Sequence, residues 1–113
     1  MTLSDGAVDW EICRNSALAI SISSYEPQNH KEIMDSQLCI DMIIGMCKGE
    51  DAEVQTHAAV TIANLSHKDE SAQRLFGNSG AIEALVRLCT STVVDVLEAS
   101  TSALANLTSY SDH

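Results

Sequence analysis

The apolar positions of this 113-residue chain repeat with a period of 42 residues. One apolar stripe consists of Ile40, Ile43, Ile44 and Cys47, and its copy consists of Ile82, Leu85, Val86 and Cys89. Within each stripe the spacing i, i+3, i+4 and i+7 places the four side chains on one face of an α-helix. The pattern therefore predicts a short helix that occurs twice.

A longer helical pattern follows each short one. Its apolar and small positions are Val54, Ala58, Thr61, Ile62 and Leu65 in one copy and Val96, Ser100, Ala103, Leu104 and Leu107 in the next. One period earlier, Asp9, Glu11, Ile12, Ala17 and Ile20 occupy the positions of Asp51, Glu53, Val54, Ala59 and Ile62. We therefore expect a third, degenerate copy of the long helix near the start of the sequence.

A further brief helix is predicted in each unit by the equivalent pairs Ile33-Met34 and Leu75-Phe76. Pro27, Gly49 and Gly80 are boundary signals between the elements. We predict long helices over 7–24, 51–66 and 93–109, and short ones over 28–35, 38–47, 69–76 and 80–90. Asp41 and Glu83 are expected in the first turns of two short helices, where a carboxylate stabilises the helix dipole.

Three-helix units of this kind indicate an all-α solenoid. One unit cannot bury its apolar stripe alone, so neighbouring units stack and close a common core. Small residues let the long helices approach closely as they stack; these are Ala58, Ala59, Ala63, Ala99, Ala103 and Ala105. We expect a single domain over 1–113, with a partial first repeat at 7–24 and further repeats at 27–66 and 69–109.

Two stretches resemble the armadillo-repeat family, whose repeats are of the β-catenin and importin-α type. They are E-V-Q to I-A-N-L-S, from Glu53 to Ser66, and G-A-I-E-A-L-V-R-L, from Gly80 to Leu88. The run A-L-A-N-L from Ala103 to Leu107 adds to the resemblance, which covers residues 50–109; before Gly49 it depends on periodicity. The resemblance implies an armadillo-type α-solenoid, a right-handed superhelix of three-helix repeats. HEAT and tetratricopeptide arrays, which have two-helix repeats, are the alternatives.

The resemblance also implies a partner-binding groove along the third helix of each repeat. In the family, an asparagine of this helix hydrogen-bonds the backbone of an extended peptide, and Asn64 and Asn106 hold that position here. An amide suits this task because it offers both a donor and an acceptor to a main chain. Local bonding of the two amides is the other interpretation. The remaining groove residues are expected to be Glu53, His57 and Val60 on one helix and Asp95, Glu98 and Ser102 on the next.

Nuclear-import members of the family carry a Trp four residues before each of these asparagines. Val60 and Ser102 hold those positions here, so import-receptor activity is disfavoured. The formal charge of −10, from sixteen acidic and six basic residues, disfavours a nucleic acid partner. An acidic surface attracts basic peptides, and it equally keeps a protein soluble. We therefore expect a protein or peptide partner. The partner is expected to be basic if the acidic surface serves to attract it.

Patterns typical of catalysis or of bound metal are missing from the sequence. His30, His57, His67 and His113 are scattered, and neither a Gly-rich phosphate loop nor a G-x-S-x-G motif occurs. Cys47 and Cys89 fall on the apolar stripes, where a thiol behaves as a small buried hydrophobe. We expect a protein that is not an enzyme and has no cofactor-binding or metal-binding residues.

Targeting signals are missing as well. The start MTLSDG is not a secretory signal, the four cysteines form no C-x-x-C pair, and the apolar stretch 38–47 is too short to span a bilayer. These features predict a protein of the cytoplasm or nucleus that does not bind membranes.

The leading hypothesis is a module that binds an extended or helical segment of a partner along the concave face of the long helices. The alternative is a self-associating or capping fragment of a longer solenoid, which dimerises through exposed ends. A weaker alternative is the armadillo portion of a multidomain protein such as a ubiquitin ligase.

Overall fold

The computed structural model describes residues 9–109, which form seven α-helices and the turns between them. These are α1 (Trp10–Ser23), α2 (Pro27–Met34), α3 (Gln37–Lys48), α4 (Ala52–Ser66), α5 (Glu70–Asn78), α6 (Ala81–Leu88) and α7 (Val94–Thr108). No strand occurs in this range. The seven predicted helices are confirmed, and their ends differ from prediction by at most three residues. Positions 7 and 8 of the first predicted helix, and His113, lie outside the described residues.

Aspartates start three of the helices. A carboxylate at the residue before a helix accepts hydrogen bonds from backbone N–H groups that have no partner within the helix. Asp9 Oδ1 accepts from the N–H of Glu11 at 3.1 Å, Asp51 Oδ2 from Val54 at 3.1 Å, and Asp69 Oδ1 from Ala72 at 3.1 Å. The first two aspartates are one period apart and start α1 and α4 at equivalent positions.

The start of α3 differs from prediction. Ser36 Oγ accepts the N–H of Cys39 at 3.2 Å, so the helix begins at Gln37, one residue early. Asp41 is then the fifth residue of α3 and lies outside the first turn, where it accepts a hydrogen bond from Gln37 Nε2 at 2.9 Å. The prediction that Asp41 lies in the first turn and stabilises the helix dipole was therefore wrong.

The start of α6 agrees with prediction. Gly80 precedes it with φ of +93°, a left-handed conformation that glycine adopts without steric cost. Glu83 lies in the first turn of α6, as expected.

The helices form three layers. α1 is the first layer, α2–α4 form the second, and α5–α7 form the third. The long helices α1, α4 and α7 pack side by side in that order, while α3 packs against α4 within its layer and against α6 in the next. This stacking of three-helix layers confirms the all-α solenoid.

The core lies between the layers. Ile40, Ile43, Ile62, Leu65 and Leu85 are fully buried there, together with Phe76, the largest of the buried side chains. Burial differs between the two copies of the predicted stripe. Ile44 is buried, whereas its equivalent Val86 is 52% exposed, because α6 belongs to the last layer of the described chain.

The two stripe cysteines differ for the same reason. Cys47 is buried, which raises the pKa of its thiol to about 12, so the group stays protonated at neutral pH. Cys89 is half-buried, with its Sγ 3.8 Å from Ser100 Oγ. The prediction of a buried hydrophobe is confirmed for Cys47, and Cys89 is more accessible than predicted.

Polar side chains join each long helix to the short helix that follows it. His30 Nε2 of α2 donates to the carbonyl oxygen of Ser24 at 2.7 Å, and Gln73 Nε2 of α5 donates to that of Ser66 at 2.9 Å. Ser24 and Ser66 are one period apart and both are buried. These bonds satisfy carbonyl groups at the ends of α1 and α4 that have no partner within the helix.

Candidate partner-binding groove

A continuous groove runs along the long helices. Its middle part, of about 360 Å³ between α4 and α7, is lined by Val60, Asn64, Asp95, Glu98 and Ser102 among others. A part of about 270 Å³ at the N-terminal ends of α4 and α7 adds Glu53 and His57, and a part of about 840 Å³ at their C-terminal ends adds Asn106. Neighbouring parts share lining residues, and each of the eight residues predicted for the groove lines at least one of the three parts, which together are referred to below as the groove.

Each of the two asparagines makes a hydrogen bond to the preceding layer. Asn64 Nδ2 donates to Ser24 Oγ at 3.0 Å, and Asn106 Nδ2 donates to the carbonyl oxygen of Ala63 at 2.8 Å. Local bonding, the second interpretation of these amides, thus accounts for one N–H of each. An amide has two N–H donors and a carbonyl acceptor. The other N–H and Oδ1 of both residues form no further bond within residues 9–109, and both asparagines line the groove.

Carboxylates dominate the N-terminal end of the groove. Glu53 and Asp95 lie in the first turns of α4 and α7, where they stabilise the positive ends of the helix dipoles. His57 Nε2 lies 3.9 Å from Glu53 Oε2. The carboxylates of Asp95 and Glu98 have no ion pair within residues 9–109. This end of the groove is therefore acidic.

A neighbouring carboxylate is neutralised instead. Arg14 of α1 binds Asp51 through two parallel contacts, Nε to Oδ2 at 3.1 Å and Nη2 to Oδ1 at 2.6 Å. The hydrogen bond from this guanidinium lowers the pKa of Asp51 below its ordinary value. Thr56 and Glu98 are one and two periods beyond Arg14, so the equivalent position changes from basic to neutral to acidic along the groove.

Several groove residues were missed in the sequence. Tyr25, His30, His67 and Lys68 line the C-terminal part of the groove with Asn64. Tyr25 and His67 are one period apart and lie within two residues of the ends of α1 and α4. This register was the signal that could have found them. The C-terminal end of the groove thus carries imidazole, ammonium and phenol groups beside the carboxylates of Asp69 and Glu70.

The C-terminal half of α1 carries two exposed apolar side chains. Leu18 and Ile22 are 40% and 58% exposed. They stand at the positions of Val60 and Asn64 one layer further on. At these two positions the surface therefore changes from two apolar side chains on α1 to Val60 and Asn64 on α4.

Within residues 9–109, no three His, Cys, Asp or Glu side chains cluster as metal ligands would. The helices of the same range are too short or too polar to cross a membrane.

The sequence and the fold match a known repeat family. Residues 69–109 match the model of the Armadillo/beta-catenin-like repeat. The chain is 31% identical over 100 residues to catenin beta of Tripneustes gratilla. The matched region covers 88% of this chain and 12% of that protein. This is an armadillo-repeat chain. It spans about an eighth of the length of the catenin beta that it matches.

Solved structures share this fold. Two engineered proteins, both determined as crystal structures by the Northeast Structural Genomics Consortium, superpose with TM-scores of 0.79 and 0.81, each at 30% identity. Each superposition covers 95% of this chain. It covers 42% of the first engineered chain and 26% of the second. Armadillo repeats form protein-interaction modules, and this chain is a module of that kind. Its division into one partial and two full repeats stays a prediction.

Proposed function

We propose that the armadillo groove binds an extended segment of a partner protein that lies across α1, α4 and α7. The observation that supports this best is the presence of Asn64 and Asn106 in one continuous groove, each with an N–H and Oδ1 left for a ligand. Neighbouring helices pack about 8–10 Å apart, and an extended chain advances about 3.3 Å per residue. About three residues of the partner thus separate its contacts with the two amides.

The groove surface defines the chemistry of this segment. Apolar side chains of the partner contact Leu18 and Ile22 on α1, and basic side chains lie near Asp95 and Glu98, whose charges have no ion pair among the described residues. Backbone contacts from the two amides hold the segment without reading its sequence. Specificity therefore comes from an apolar part followed by a basic part.

The test uses peptides selected against the chain from a displayed library of random 15-residue sequences. Fluorescence anisotropy then measures their affinity for the double variant Asn64→Ala/Asn106→Ala. Each lost hydrogen bond weakens binding by about 0.5–1.5 kcal/mol, so the double variant binds roughly tenfold to a hundredfold more weakly. The double variant also loses the two hydrogen bonds of these asparagines to the preceding layer. Each lost bond lowers the free energy of unfolding by about 1 kcal/mol.

A matched control separates the two effects. Ser24→Ala removes the interlayer hydrogen bond of Asn64 but leaves the amide itself in the groove. We expect this variant to lose stability and to keep its affinity for the selected peptides. If the double asparagine variant bound these peptides as tightly as the original chain, the proposed function would be wrong.

A further inference from the structure

A cavity of about 270 Å³ lies between the second and third layers, where the ends of α3 and α6 meet the start of α4. Cys47, Ala84 and Leu88 are buried and form its apolar floor. Lys48 and Arg87 line it as exposed side chains. The cavity is referred to below as the basic pocket, and its lining is completed by Gly49, Gln55 and Thr90. It shares no lining residue with the groove.

The two cations of the basic pocket differ from most other basic residues of the chain. Neither Lys48 nor Arg87 forms an ion pair within residues 9–109. Three other basic side chains each bind a carboxylate, namely Arg14, Lys31 and Arg74. The three parts of the groove and a cavity between α2 and α5 are each lined by at least one Asp or Glu, and the basic pocket is lined by neither. A positive cavity thus stands out on an acidic protein.

The helix dipoles explain part of this arrangement. Lys48 and Arg87 stand in the last turns of α3 and α6, where a cation stabilises the negative end of a helix. This role accounts for their places on the helices. It does not account for the lack of a carboxylate in the cavity that they share. Glu83 stands one turn before Arg87, and the two form no ion pair in the described part of the chain.

The polar groups of the basic pocket are mainly donors. Two carbonyl oxygens at this edge already accept hydrogen bonds, that of Gly49 from Gln55 Nε2 at 2.6 Å and that of Arg87 from Thr90 Oγ1 at 2.8 Å. The Gln55 amide keeps a second N–H. Burial raises the pKa of the Cys47 thiol to about 12, so this group adds no negative charge at neutral pH. An ammonium, a guanidinium and an amide N–H therefore remain for an anionic ligand.

We propose that the basic pocket binds the side-chain carboxylate of one glutamate in a segment of a partner protein. The carboxylate lies between Lys48 and Arg87, where hydrogen bonds between charged groups are stronger than neutral ones. The methylene groups of the glutamate contact the apolar floor, and a free phosphate ion has no apolar part that could do so.

The charge of the whole chain limits this segment further. A net charge of −10 repels segments with many acidic residues, so an isolated glutamate is favoured over an acidic run. A protein supplies the glutamate because armadillo repeats form protein-interaction modules. The site is separate from the groove and does not depend on its asparagines.

The test uses a displayed library of random 15-residue peptides, selected against the original chain and counter-selected against Lys48→Gln/Arg87→Gln. Both side chains are exposed, so this variant folds, which circular dichroism and a thermal melt will verify. We expect the enriched peptides to share one glutamate. Replacing that glutamate by glutamine should lower the affinity measured by fluorescence anisotropy by roughly tenfold or more, because a charged hydrogen bond is lost.

Lys31→Gln/Arg74→Gln is the matched control, because it removes the same two charges outside the basic pocket. It should bind the enriched peptides as tightly as the original chain does, and so should Asn64→Ala/Asn106→Ala. If the two cations only stabilised helix dipoles, Lys48→Gln/Arg87→Gln would lower the melting temperature and no shared glutamate would be selected.

Four results would overturn the proposal. They are the absence of enriched peptides, enriched peptides without a shared glutamate, an equal loss of affinity in Lys31→Gln/Arg74→Gln, and tighter binding of inorganic phosphate than of the peptides. The last result, measured by isothermal titration calorimetry, would assign the basic pocket to a free phosphate. None of them bears on the groove, whose test depends on Asn64 and Asn106.

Discussion

Asp51 has two tasks at the start of α4. Its carboxylate accepts the N–H of Val54 as a helix cap, and it also binds the guanidinium of Arg14 in α1. The first task follows from local sequence, because an aspartate before an amphipathic helix is a cap signal. The second joins residues 37 positions apart and has no local signal in the sequence. The interlayer bonds of Asn64 and Asn106 could not be predicted for the same reason.

The pair of Arg14 and Asp51 makes stability depend on pH. The folded-state pKa of Asp51 is lowered, so its contribution is present above the unfolded pKa and is lost as pH falls through the folded value. We expect Arg14→Met, which keeps the apolar stem, to lower the melting temperature at pH 7. The difference from the original chain should shrink below about pH 4, near the ordinary pKa of an aspartate.

Thermal melts of both chains between pH 2 and pH 7 measure this effect. Lys31→Met is the control, because Lys31 and Asp35 form a fully exposed i, i+4 pair that contributes little. A difference between Arg14→Met and the original chain that stays constant with pH would contradict the role given to Asp51.

The helices α4 and α7 show how far the repeat predicts an element. Both have 15 residues and begin one period apart, as the sequence pattern indicated. Their starts differ, since Asp51 caps α4 through its side chain, whereas Val93 precedes α7 with no side-chain cap. Periodicity predicted the helices well because it reflects their buried faces. It predicted their ends and the exposure of Val86 less well, because these depend on caps and on the presence of a next layer.

Two substitutions can introduce the missing cap of α7, together with the ion pair found between α1 and α4. Thr56 and Val93 stand at the positions of Arg14 and Asp51, so Thr56→Arg/Val93→Asp should recreate the ion pair and the cap together. A double-mutant cycle from urea denaturation should give a favourable coupling of about 0.5–1 kcal/mol.

Val93→Asp combined with Thr101→Arg is the control for this cycle, because position 101 lies two turns further along α7. That pair should show no coupling. Zero coupling between positions 56 and 93 would show that the geometry of the first interface does not recur in the second.

The whole molecule carries a net charge of −10, yet its surface is not uniformly acidic. Asp95 and Glu98, which have no ion pair within residues 9–109, lie towards one end of the groove. Imidazole and ammonium groups lie at the other end beside two carboxylates, and Leu18 and Ile22 expose apolar surface on α1. The sequence predicted eight residues for the groove, and the 42-residue register accounts for three pairs of them, Glu53 with Asp95, Val60 with Ser102 and Asn64 with Asn106. Contact of these residues with a partner stays a prediction. Leu18 and Ile22 on α1 and the residues after α1 and α4 were missed, since the first copy of the repeat is degenerate and the apolar pattern of the helices does not extend into the turns.

A charge-reversal pair tests whether the groove or the net charge attracts basic segments. Glu98→Lys and Glu83→Lys change the total charge equally, but only Glu98 lies in the groove. We expect Glu98→Lys to lower the affinity for the selected peptides several-fold more than Glu83→Lys does at low salt. The difference between the two variants should shrink as salt screens the charges. Anisotropy titrations at two ionic strengths measure this. Equal losses would indicate attraction by the net charge alone.

The unbroken period from Ala52 to Thr108 also bears on how such a chain changes in length. Duplication of 42 consecutive residues within it would keep the register of the helices and the 42-residue spacing of the asparagines. Each added copy would lengthen the recognised segment by one fixed step without redesign of the surfaces already present. The length of the partner segment that the groove can contact would therefore increase in whole repeats.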